Sequence, residues 1–551
     1  MNDLPLERAY HWERTSPDVV FLTQPKNGIV HDWTWAQAMD EARRVAHHLI
    51  QKNWPAGSHI VILSKNCAWW IMADLAIWMA GHVSVPIYPS LTSQSIRQLL
   101  AHCDPVACFL GEIDATEVTA HAVPDEVYLI RFPTVAAADG AGWDQIIRAT
   151  EPLREDPLRD PDEIATIIYT SGTTGSPKGA MHKFRAFPFI AQAVAQVAGE
   201  GTQRALSYLP LAHIAERGLT ETMALYYSWH LSFSEGIATF LTDLKRARPT
   251  VFFSVPRLYT KFQQKVFDSV PRKTLTRLQS TPGIGTLVCL YILRSMGFGQ
   301  VRFAASGSAP LPAELLQWFR SLGLPLTEGY GTTETGITHA AARGECRAGY
   351  AGKTAPGVET KISANGEVLL RSPMNMAGYY KNPEATREAF TADGFIHTGD
   401  LGELSADGWL KITGRIKEQF KTAKGKYVSP AKLEALLSAH PAVDHCLVLG
   451  SNLAAPCAVI ALSKEALREA ATATGRESLE ESFNVFLESV NSQVENHEHL
   501  SFVALVNTQW SIDNGFLTPT LKLRRGPLEA FYNELIPGWL EQRRRVIFHL
   551  S

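Results

Sequence analysis

Short apolar runs alternate with segments of helical periodicity through most of the chain, as far as about residue 400. The pattern predicts a helix from Trp35 to Gln51 before a strand from His59 to Leu63. It also predicts a helix from Ser93 to His102 before a strand from Ala107 to Leu110. Such alternation is typical of α/β layers in which parallel sheets are covered on both faces. We therefore expect a large N-terminal domain of layered α/β sheets.

The most apolar stretch runs from Ala68 to Tyr88. Asp74, Gly81, His82 and Pro86 interrupt it, and its second part, from residue 83 to residue 88, has the length of a strand. The pattern predicts a buried helix leading into a strand rather than a membrane span.

A change of pattern follows Gly349, where strands with turn signals dominate and indicate a small β subdomain. These predicted strands are Val358–Ile362, Gly366–Arg371 and Trp409–Ile412.

A second domain is predicted after Gly414, where a charged run and a further glycine interrupt the strand pattern. Its predicted elements are a helix at Pro430–Ala439, strands at Val443–Gly450 and Pro456–Ser463, a polar helix at Leu479–Asn496 and a strand at Phe502–Val506. We divide the chain into residues 1–414 and a smaller α+β domain of residues 415–551.

Composition narrows the class of protein. The 551 residues are 45% apolar, which is enough for sizeable cores, and the formal net charge of −3 gives no basic field for nucleic acid. Seven scattered cysteines without a C-x-x-C pair favour reduced thiols. The first residues lack the pattern of a secretory signal, so we expect a cytoplasmic protein.

The segment Tyr169–Gly179 has the composition of a phosphate-binding loop, since it combines hydroxyls, glycines and a lysine after the apolar run Ile164–Tyr169. It matches neither a Walker loop nor a dinucleotide fingerprint. A flexible polar surface loop is the alternative interpretation. The residues predicted to hold phosphate are Thr170, Ser171, Gly172, Thr173, Thr174, Gly175 and Lys178.

Further motifs follow in a fixed order. They are Ser306–Leu311, Glu328–Gly336 with its Gly-Tyr-Gly-Thr-Thr-Glu core, Thr398–Gly402, Gly414–Glu418 and Asn514–Arg525. With the phosphate loop, they resemble those of the adenylate-forming superfamily, which includes acyl-CoA synthetases, luciferases and peptide-synthetase adenylation domains. The segments Ser207–Arg217 and Arg248–Arg257 are most similar to those of long-chain fatty acyl-CoA synthetases, which are AMP-binding enzymes.

The resemblance implies a set of roles around ATP. Lys522 is the expected catalytic lysine, Glu334 the Mg²⁺ ligand and Thr333 an α-phosphate contact. His213 is expected near the acyl carboxylate or the incoming thiol. The nucleotide contacts that the resemblance implies are Asp400 and Arg415 on ribose or phosphate, Tyr330 with Gly307, Ser308, Ala309 and Pro310 around adenine, and Gly331 and Thr332 beside them.

The resemblance also implies that the small domain rotates about a hinge at Lys417 and that Lys424 and Gly425 belong to a loop that guides coenzyme A.

Each assignment has a plainer alternative. Glu334 and Lys522 are otherwise solvated charges, and Asp400 beside Gly399 is otherwise a local turn cap. His213 among apolar neighbours is otherwise a core residue, and Lys424 with Gly425 a polar turn.

The expected reaction is ATP-dependent ligation of a medium- to long-chain fatty acid to coenzyme A through an acyl-adenylate. One alternative is a fatty acyl-AMP ligase or another enzyme with a different acyl acceptor. Fatty acyl-AMP ligases are similar to one another in carrying an insertion, and the short segment between Glu334 and Asp400 leaves little room for it. The other is a non-catalytic nucleotide-binding protein.

One basic region is not explained by these motifs. Between Lys261 and Arg302, seven basic residues stand against the single acid Asp268, and the apolar stretch Ile284–Leu293 lies among them. This mixture suits weak peripheral contact with an anionic membrane. A solvated surface around a buried helix is the alternative.

Overall fold

The computed structural model describes residues 3–114, 122–135, 140–170, 178–342, 344–518 and 521–550. The predicted phosphate-binding residues Ser171, Gly172, Thr173, Thr174 and Gly175 lie outside these ranges.

The strands of the described residues are, in chain order, β1 (Val20–Lys26), β2 (Ile29–Thr34), β3 (His59–Leu63), β4 (Val83–Ile87), β5 (Ala107–Leu110), β6 (Tyr128–Arg131), β7 (Ala141–Gly142), β8 (Ile164–Thr170), β9 (Lys178–Lys183), β10 (Arg204–Ser207), β11 (His230–Phe233), β12 (Val251–Ser254), β13 (Phe303–Ser306), β14 (Leu326–Thr332), β15 (Gly336–Ala340), β16 (Lys353–Thr354), β17 (Glu359–Ile362), β18 (Glu367–Arg371), β19 (Gly378–Tyr379), β20 (Ile396–Leu404), β21 (Leu410–Arg415), β22 (Phe420–Lys421), β23 (Tyr427–Val428), β24 (Val443–Leu449), β25 (Cys457–Leu462), β26 (Val503–Val506) and β27 (Val546–His549).

The α-helices are α1 (Pro5–Thr15), α2 (Trp35–Ile50), α3 (Ala68–Met79), α4 (Ser93–Cys103), α5 (Trp143–Ala149), α6 (Ala186–Ala198), α7 (Ile214–Glu216), α8 (Thr222–Tyr227), α9 (Phe240–Ala247), α10 (Pro256–Ser269), α11 (Arg272–Gln279), α12 (Ile284–Ser295), α13 (Ala313–Ser321), α14 (Pro383–Ala389), α15 (Pro430–Leu437), α16 (Lys464–Ala470), α17 (Ala473–Asn491), α18 (Arg525–Asn533) and α19 (Ile536–Glu541). A π-helical turn at Arg217–Glu221 and 3₁₀ turns at Ile416–Glu418 and Asn496–Glu498 complete the set.

The large domain is built around an eight-stranded sheet in the order β19-β9-β8-β4-β3-β5-β6-β7, which is parallel from β8 to β7 and antiparallel at β9 and β19. Ile60 and Ile62 of β3 belong to the core that includes α2 and α3, whereas Val61 and Leu63 belong to the core that includes α4. Both faces are therefore covered, which confirms the predicted α/β layering.

Two further sheets and a β subdomain complete the large domain. The first sheet has the order β10-β11-β1-β2, and the second has the order β12-β13-β14-β15-β16, with parallel pairing from β12 to β14. The antiparallel sheet β17-β18-β20-β21 is the predicted β subdomain.

The small domain contains the hairpin β22–β23 and the sheet β24-β25-β26-β27. This sheet has an apolar cluster on each face, one including α15 and α17 and the other including α18 and α19. The mixed α+β pattern agrees with the prediction for this part of the chain.

The prediction for the most apolar stretch is confirmed. Every residue of α3 is buried, and the helix leads into β4. Trp78 donates from Nε1 to the carbonyl oxygen of Ala165 at 2.9 Å, so the helix is fixed against β8. Within the described ranges, no helix combines the length and apolar composition needed to cross a bilayer.

The bounds of the predicted polar helix are wrong at both ends. The hydroxyl of Thr472 accepts from the backbone N–H of Gly475 at 3.1 Å, and this cap starts α17 at Ala473 rather than at Leu479. The helix ends at Asn491, whose side-chain oxygen accepts from the N–H of Leu500 at 2.8 Å.

The alternative interpretation, in which Ile284–Leu293 is a buried helix within a solvated surface, holds for only one side of the helix. Ile292 and Leu293 are buried, but Ile284, Leu287 and Tyr291 are 50%, 66% and 75% exposed. Local apolar content indicated the helix but not which of its faces is covered.

Candidate active site

Strands β8 and β9 form the antiparallel hairpin that carries the predicted phosphate loop. Thr170 and Lys178 pair across its open end, and the Thr170 hydroxyl donates to the carbonyl oxygen of Lys178 at 3.3 Å. The ammonium nitrogen of Lys178 lies 5.2 Å from the ring centre of Tyr379. The ends of the loop are thus held together beside Tyr379.

The hairpin of β14 and β15 carries Thr332 at the end of β14, and Thr333 and Glu334 in its turn. A Cβ atom at Gly331 would lie 2.0 Å from the carbonyl oxygen of Gly336, so this tight turn requires glycine there. The Tyr379 hydroxyl donates to Glu334 Oε1 at 2.8 Å. Tyr379, which sequence reasoning missed, therefore joins Glu334 to Lys178, and no local pattern marks it because its partners are distant in sequence.

Asp400 joins the large domain to the start of the interdomain segment. The Tyr330 hydroxyl donates to Asp400 Oδ2 at 2.6 Å, and Arg415 Nε forms an ion pair with Asp400 Oδ1 at 2.8 Å. Burial raises the pKa of Asp400, while Arg415 opposes that effect. Because both carboxylate oxygens are engaged by distant residues, the structure does not support a purely local turn cap.

Lys522 lies in a short turn whose backbone is closed on itself. The N–H of Thr518 donates to the carbonyl oxygen of Lys522 at 2.8 Å, and the N–H of Lys522 donates to the Thr518 hydroxyl at 3.0 Å. Leu521 has a left-handed φ of 59°, which is costly for a residue with a branched side chain. The turn fixes where the lysine side chain starts.

The side chain of Lys522 lies in a cleft that it shares with other charges. Desolvation of the ammonium group by surrounding protein atoms is the main cause of the lowered pKa of Lys522, and the charge of Arg415 lowers this pKa further. Asp400, Glu418 and Glu334 act in the opposite direction. Lys522 nevertheless remains exposed to solvent.

His213 begins α7 and is held by its own helix. Its Nδ1 atom accepts from the backbone N–H of Ala215 at 3.1 Å, which leaves Nε2 to carry the ring proton in the neutral form. Burial lowers its pKa to about 4, and Lys522 contributes. A neutral ring in this tautomer can donate a hydrogen bond, but its basic nitrogen is already engaged.

A pocket of about 810 Å³, including space open to solvent, lies beside His213 and Tyr330. Its polar wall includes His213, Gly307, Ser308, Tyr330, Gly331 and Thr332. Ser308 has a left-handed φ of 67°. Ala309 and Pro310 follow it and are exposed. Val194, Val197, Phe253 and Ile337 line its apolar part.

Glu328 also lines the pocket and was missed as a binding residue. Its Oε1 atom accepts from the N–H of Leu311 at 2.9 Å, and its Oε2 atom is buried without a partner among the described residues. Burial raises its pKa to about 7. Its place directly before Gly329 and Tyr330 is the sequence signal that marks it.

A buried ionic cluster lies behind the pocket, at the π-helical turn that follows α7. Arg217 donates from Nε to Glu221 at 2.9 Å, donates to the Thr166 hydroxyl of β8 at 2.7 Å and also pairs with Asp74 of α3. All three charged side chains are at most 1% exposed. Burial raises the pKa of Asp74 and of Glu221, and Arg217 opposes this for both. The cluster connects the helix of His213 to the strand that enters the phosphate loop.

The small domain contacts the large one through Arg257 of α10. Arg257 donates from Nη1 to His445 Nε2 at 2.8 Å and pairs with Asp444, both at the start of β24. At the connecting segment, the Ser429 hydroxyl donates to the carbonyl oxygen of Thr413 at 2.9 Å. These contacts hold the small domain in the orientation in which Asp400 and Glu334 act electrostatically on Lys522.

Lys417 lies within the 3₁₀ turn Ile416–Glu418 and is exposed. Lys424 and Gly425 lie at the tip of the hairpin β22–β23. In the described parts of the chain, no hydrogen bond or ion pair joins this tip to the residues around the pocket. The structure therefore does not bring Lys424 and Gly425 next to the residues that are predicted to bind the nucleotide.

The grouped residues can bind an anion that carries several charges. Lys178, Arg415 and Lys522 supply positive charge, and Glu334 supplies a carboxylate beside them. Placing cations where negative charge accumulates is the main means by which a site accelerates phosphate chemistry.

Comparison with known proteins gives the family. Residues 9–380 match the AMP-binding enzyme family, and residues 417–542 match the AMP-binding enzyme C-terminal domain. The long-chain-fatty-acid–CoA ligase FadD15 of Mycobacterium bovis is 32% identical, with 96% of each chain covered. The peroxisomal long chain acyl-CoA synthetase 6 of Arabidopsis thaliana is 29% identical over 94% of this chain and 83% of its own.

Solved structures give the same fold. The adenylation domain of a carboxylate reductase from Mycobacterium chelonae has a TM-score of 0.83 at 23% identity, with 98% of this chain and 91% of that one covered. The anthranilate CoA ligase AuaEII has a TM-score of 0.79 at 21% identity, with 97% and 98% covered. The chain belongs to the AMP-binding enzyme family and is similar over nearly its whole length to long-chain fatty acyl-CoA ligases.

Proposed function

We propose that this protein ligates a medium- to long-chain fatty acid to coenzyme A, with ATP as co-substrate and an acyl-adenylate as the intermediate. The observation that carries the proposal is the hydrogen bond that joins Tyr330, which lines a largely apolar pocket, to Asp400, beside which Arg415 and Lys522 lie. The naming of the relatives as fatty acid–CoA ligases supports the same reaction.

In the first half-reaction, the fatty acid carboxylate attacks the α-phosphorus of ATP and pyrophosphate leaves. Two anions must approach each other, so the site has to neutralise charge first. Lys522 and Arg415 supply that charge, with Thr333 as the proposed α-phosphate contact. The Nε2–H of His213 is suited to donate to the acyl carboxylate.

We assign the nucleotide to the polar part of the pocket. Tyr330 with Gly307 and Ser308 borders adenine, and Asp400 accepts from the ribose hydroxyls. The phosphate chain extends towards Lys178 and the loop that precedes it.

The donor set also fits Mg²⁺. Glu334 accepts one hydrogen bond from Tyr379 and retains a second carboxylate oxygen, and a single carboxylate with substrate phosphates and waters is a common Mg²⁺ environment. When bound, Mg²⁺ would neutralise phosphate charge.

The second half-reaction transfers the acyl group from AMP to the coenzyme A thiol. We propose that residues 415–551 rotate about Lys417 for this step, which removes Lys522 and brings Lys424 and Gly425 towards the pocket. The exposed 3₁₀ turn between the two domains supports the hinge. We place the reaction in the cytoplasm, which the seven scattered cysteines without a C-x-x-C pair favour.

An assay of pyrophosphate and AMP release tests the reaction. We expect release with saturated fatty acids of increasing length, sustained with coenzyme A and limited to a single equivalent per active site without it. Acyl-CoA formation is followed by mass spectrometry. If coenzyme A neither sustains turnover nor becomes acylated, the acceptor is a different one.

Lys417→Pro tests the hinge. Proline fixes φ near −65° and restricts the preceding residue, so rotation should be hindered while the adenylation orientation survives. We expect acyl transfer to coenzyme A to fall about 10²-fold, as reacting groups are misplaced. Pyrophosphate exchange should stay close to that of the unmodified protein.

Lys417→Ala is the matched control, because it removes the same side chain without restricting the backbone. It should retain both half-reactions. Full acyl transfer in Lys417→Pro would place the hinge elsewhere.

A further inference from the structure

A short segment around β19 lies between the two hairpins of the candidate site and contacts both. Strand β19 pairs antiparallel with β9, the strand that begins at Lys178. The N–H of Met376, just before β19, donates to the carbonyl oxygen of Glu334 at 2.7 Å. The N–H of Ala377 donates to the carbonyl oxygen of Met181 on β9 at 2.8 Å. Main-chain hydrogen bonds of this segment therefore connect the turn of Glu334 to the strand of Lys178.

The main chain of Tyr379, the last residue of β19, is also fixed by α14. Its N–H donates to the Thr386 hydroxyl at 2.8 Å, and that hydroxyl donates to the carbonyl oxygen of Asn382 at 2.8 Å. Gly378 has a φ of 146°, and a Cβ atom there would lie 2.8 Å from Cγ2 of Thr386, so glycine permits this close approach. Strand β9 and helix α14 together determine where the Tyr379 side chain starts.

The Tyr379 side chain contacts two residues of the candidate site with different atoms. Its hydroxyl donates to Glu334 Oε1 at 2.8 Å, and the ammonium nitrogen of Lys178 lies 5.2 Å from the ring centre. An ionised carboxylate only accepts hydrogen bonds, so the phenol is the donor. The hydrogen bond engages one oxygen of Glu334 and restricts rotation of the carboxylate, which leaves the other oxygen available in a defined direction.

We propose that Tyr379 is a positioning residue for adenylation, which orients the Glu334 carboxylate for Mg²⁺ and holds Lys178 beside the same phosphates. The inference deepens the function proposed above and rests on it. Carboxylates that bind metal ions are themselves oriented by hydrogen bonds, and loss of such a bond weakens metal affinity or activity about 10- to 100-fold. The contact between the ring and Lys178 adds a smaller contribution, because a partly exposed cation gains little from an aromatic face.

A purely structural role for Tyr379 is the alternative, in which the hydroxyl only satisfies a polar neighbour and the ring fills space. The two roles differ in the ligand that they affect. A structural defect would weaken the binding of ATP with or without metal, whereas a misoriented Glu334 weakens only the binding that depends on the metal. Tyr379→Phe separates the two roles, because it removes the hydroxyl and keeps the ring.

Calorimetric titration of the full chain with ATP, in Mg²⁺ or in EDTA, tests the proposal. We expect Tyr379→Phe to weaken the binding of MgATP about tenfold or more. Metal-free ATP should bind to this variant as it binds to the unmodified protein. Tyr379→Leu also removes the ring beside Lys178, so metal-free ATP should bind to it about threefold more weakly.

A double-mutant cycle tests whether Tyr379 acts through Glu334. Glu334→Ala removes the acceptor of the hydrogen bond, so Tyr379→Phe should weaken MgATP binding no further in that background. An equal loss of affinity in both backgrounds would show that the hydroxyl acts independently of Glu334, which contradicts the proposal.

Tyr380→Phe is the matched control, because it removes the same hydroxyl one residue along the chain. The Tyr380 ring packs against the core that includes α4, with its centre 4.8 Å from that of His59 and 5.7 Å from that of His102. This variant should bind both forms of ATP as the unmodified protein does. Urea denaturation should give both phenylalanine variants midpoints close to that of the unmodified protein, which shows that they are folded.

Undiminished MgATP binding by Tyr379→Phe would overturn the proposal, as would an equal loss of affinity for MgATP and for metal-free ATP. These titrations contain neither fatty acid nor coenzyme A. If Tyr379→Phe shows the expected loss but the unmodified protein activates no fatty acid, the proposed reaction is disproved and the role of Tyr379 in MgATP binding remains.

Discussion

Replacing Lys522 with alanine is expected to slow acyl-adenylate formation about 10²–10³-fold, the usual effect of removing one group that stabilises developing charge. Lys522 lies near Arg415, Asp400 and Glu334, where we propose that the carboxylate and the α-phosphate are brought together. Thiolysis of supplied acyl-AMP should continue, because that step brings no second anion to the phosphate. Pyrophosphate exchange and single-turnover transfer measure the two steps separately.

Arg524→Ala is the matched control, since it removes an exposed cation two residues away. It should leave both half-reactions unchanged. If a folded Lys522→Ala protein loses both half-reactions to the same extent, the lysine has a role in binding common to the two steps rather than in adenylation.

Arg217→Met is expected to destabilise the large domain by about 3–5 kcal/mol, because it leaves buried carboxyl groups without their cation. Asp74 and Glu221 are at most 1% exposed and cannot recover water in the folded state. Arg217 also lies 5.3 Å and 5.5 Å from the rings of Trp70 and Trp78. Urea denaturation followed by tryptophan fluorescence therefore reports on this region.

The loss of stability in Arg217→Met should be larger at high pH than at low pH. When the pKa of a carboxyl group is raised in the folded state, the folded protein becomes less stable as the pH rises above the pKa that the group has in the unfolded state. Without Arg217 the two carboxyls protonate in acid, so the deficit should be smaller at about pH 5 than at about pH 8.

Arg544→Met is the comparison, since Arg544 pairs with Glu480 at the surface with side chains 58% and 32% exposed. It should cost no more than about 1 kcal/mol. Stability of Arg217→Met equal to that of the unmodified protein, or a deficit that grows in acid, would be inconsistent with an uncompensated buried charge.

Much of the fold follows from local pattern. The helix and strand of the most apolar stretch, the pairs α2–β3 and α4–β5, and the β subdomain were predictable because period and length distinguish their types. The ends of helices were less predictable. Helix α17 starts where the Thr472 hydroxyl caps it, and the spacing of hydrophobic residues does not indicate that hydrogen bond.

The site was less predictable than the fold. Ordered motifs identify Glu334, Asp400 and Lys522, but the hydrogen bond from Tyr379 to Glu334 joins residues on different sheets. Glu328 and Arg217 likewise acquire their properties from burial, which depends on the packing of segments distant in sequence. The exposed apolar residues Ile284, Leu287 and Tyr291 of α12 illustrate the same point, because helical periodicity does not indicate whether another element covers that face.

The contact of Arg257 with Asp444 and His445 has a kinetic consequence for the proposed rotation. Each turnover would have to open this contact before acyl transfer and remake it before the next adenylation. The Arg257 and Asp444 side chains are 32% and 23% exposed, so water replaces much of what opening removes. A fully buried pair would trap the small domain in one orientation. A partly exposed pair allows the occupant of the pocket, rather than the protein alone, to determine which orientation is populated.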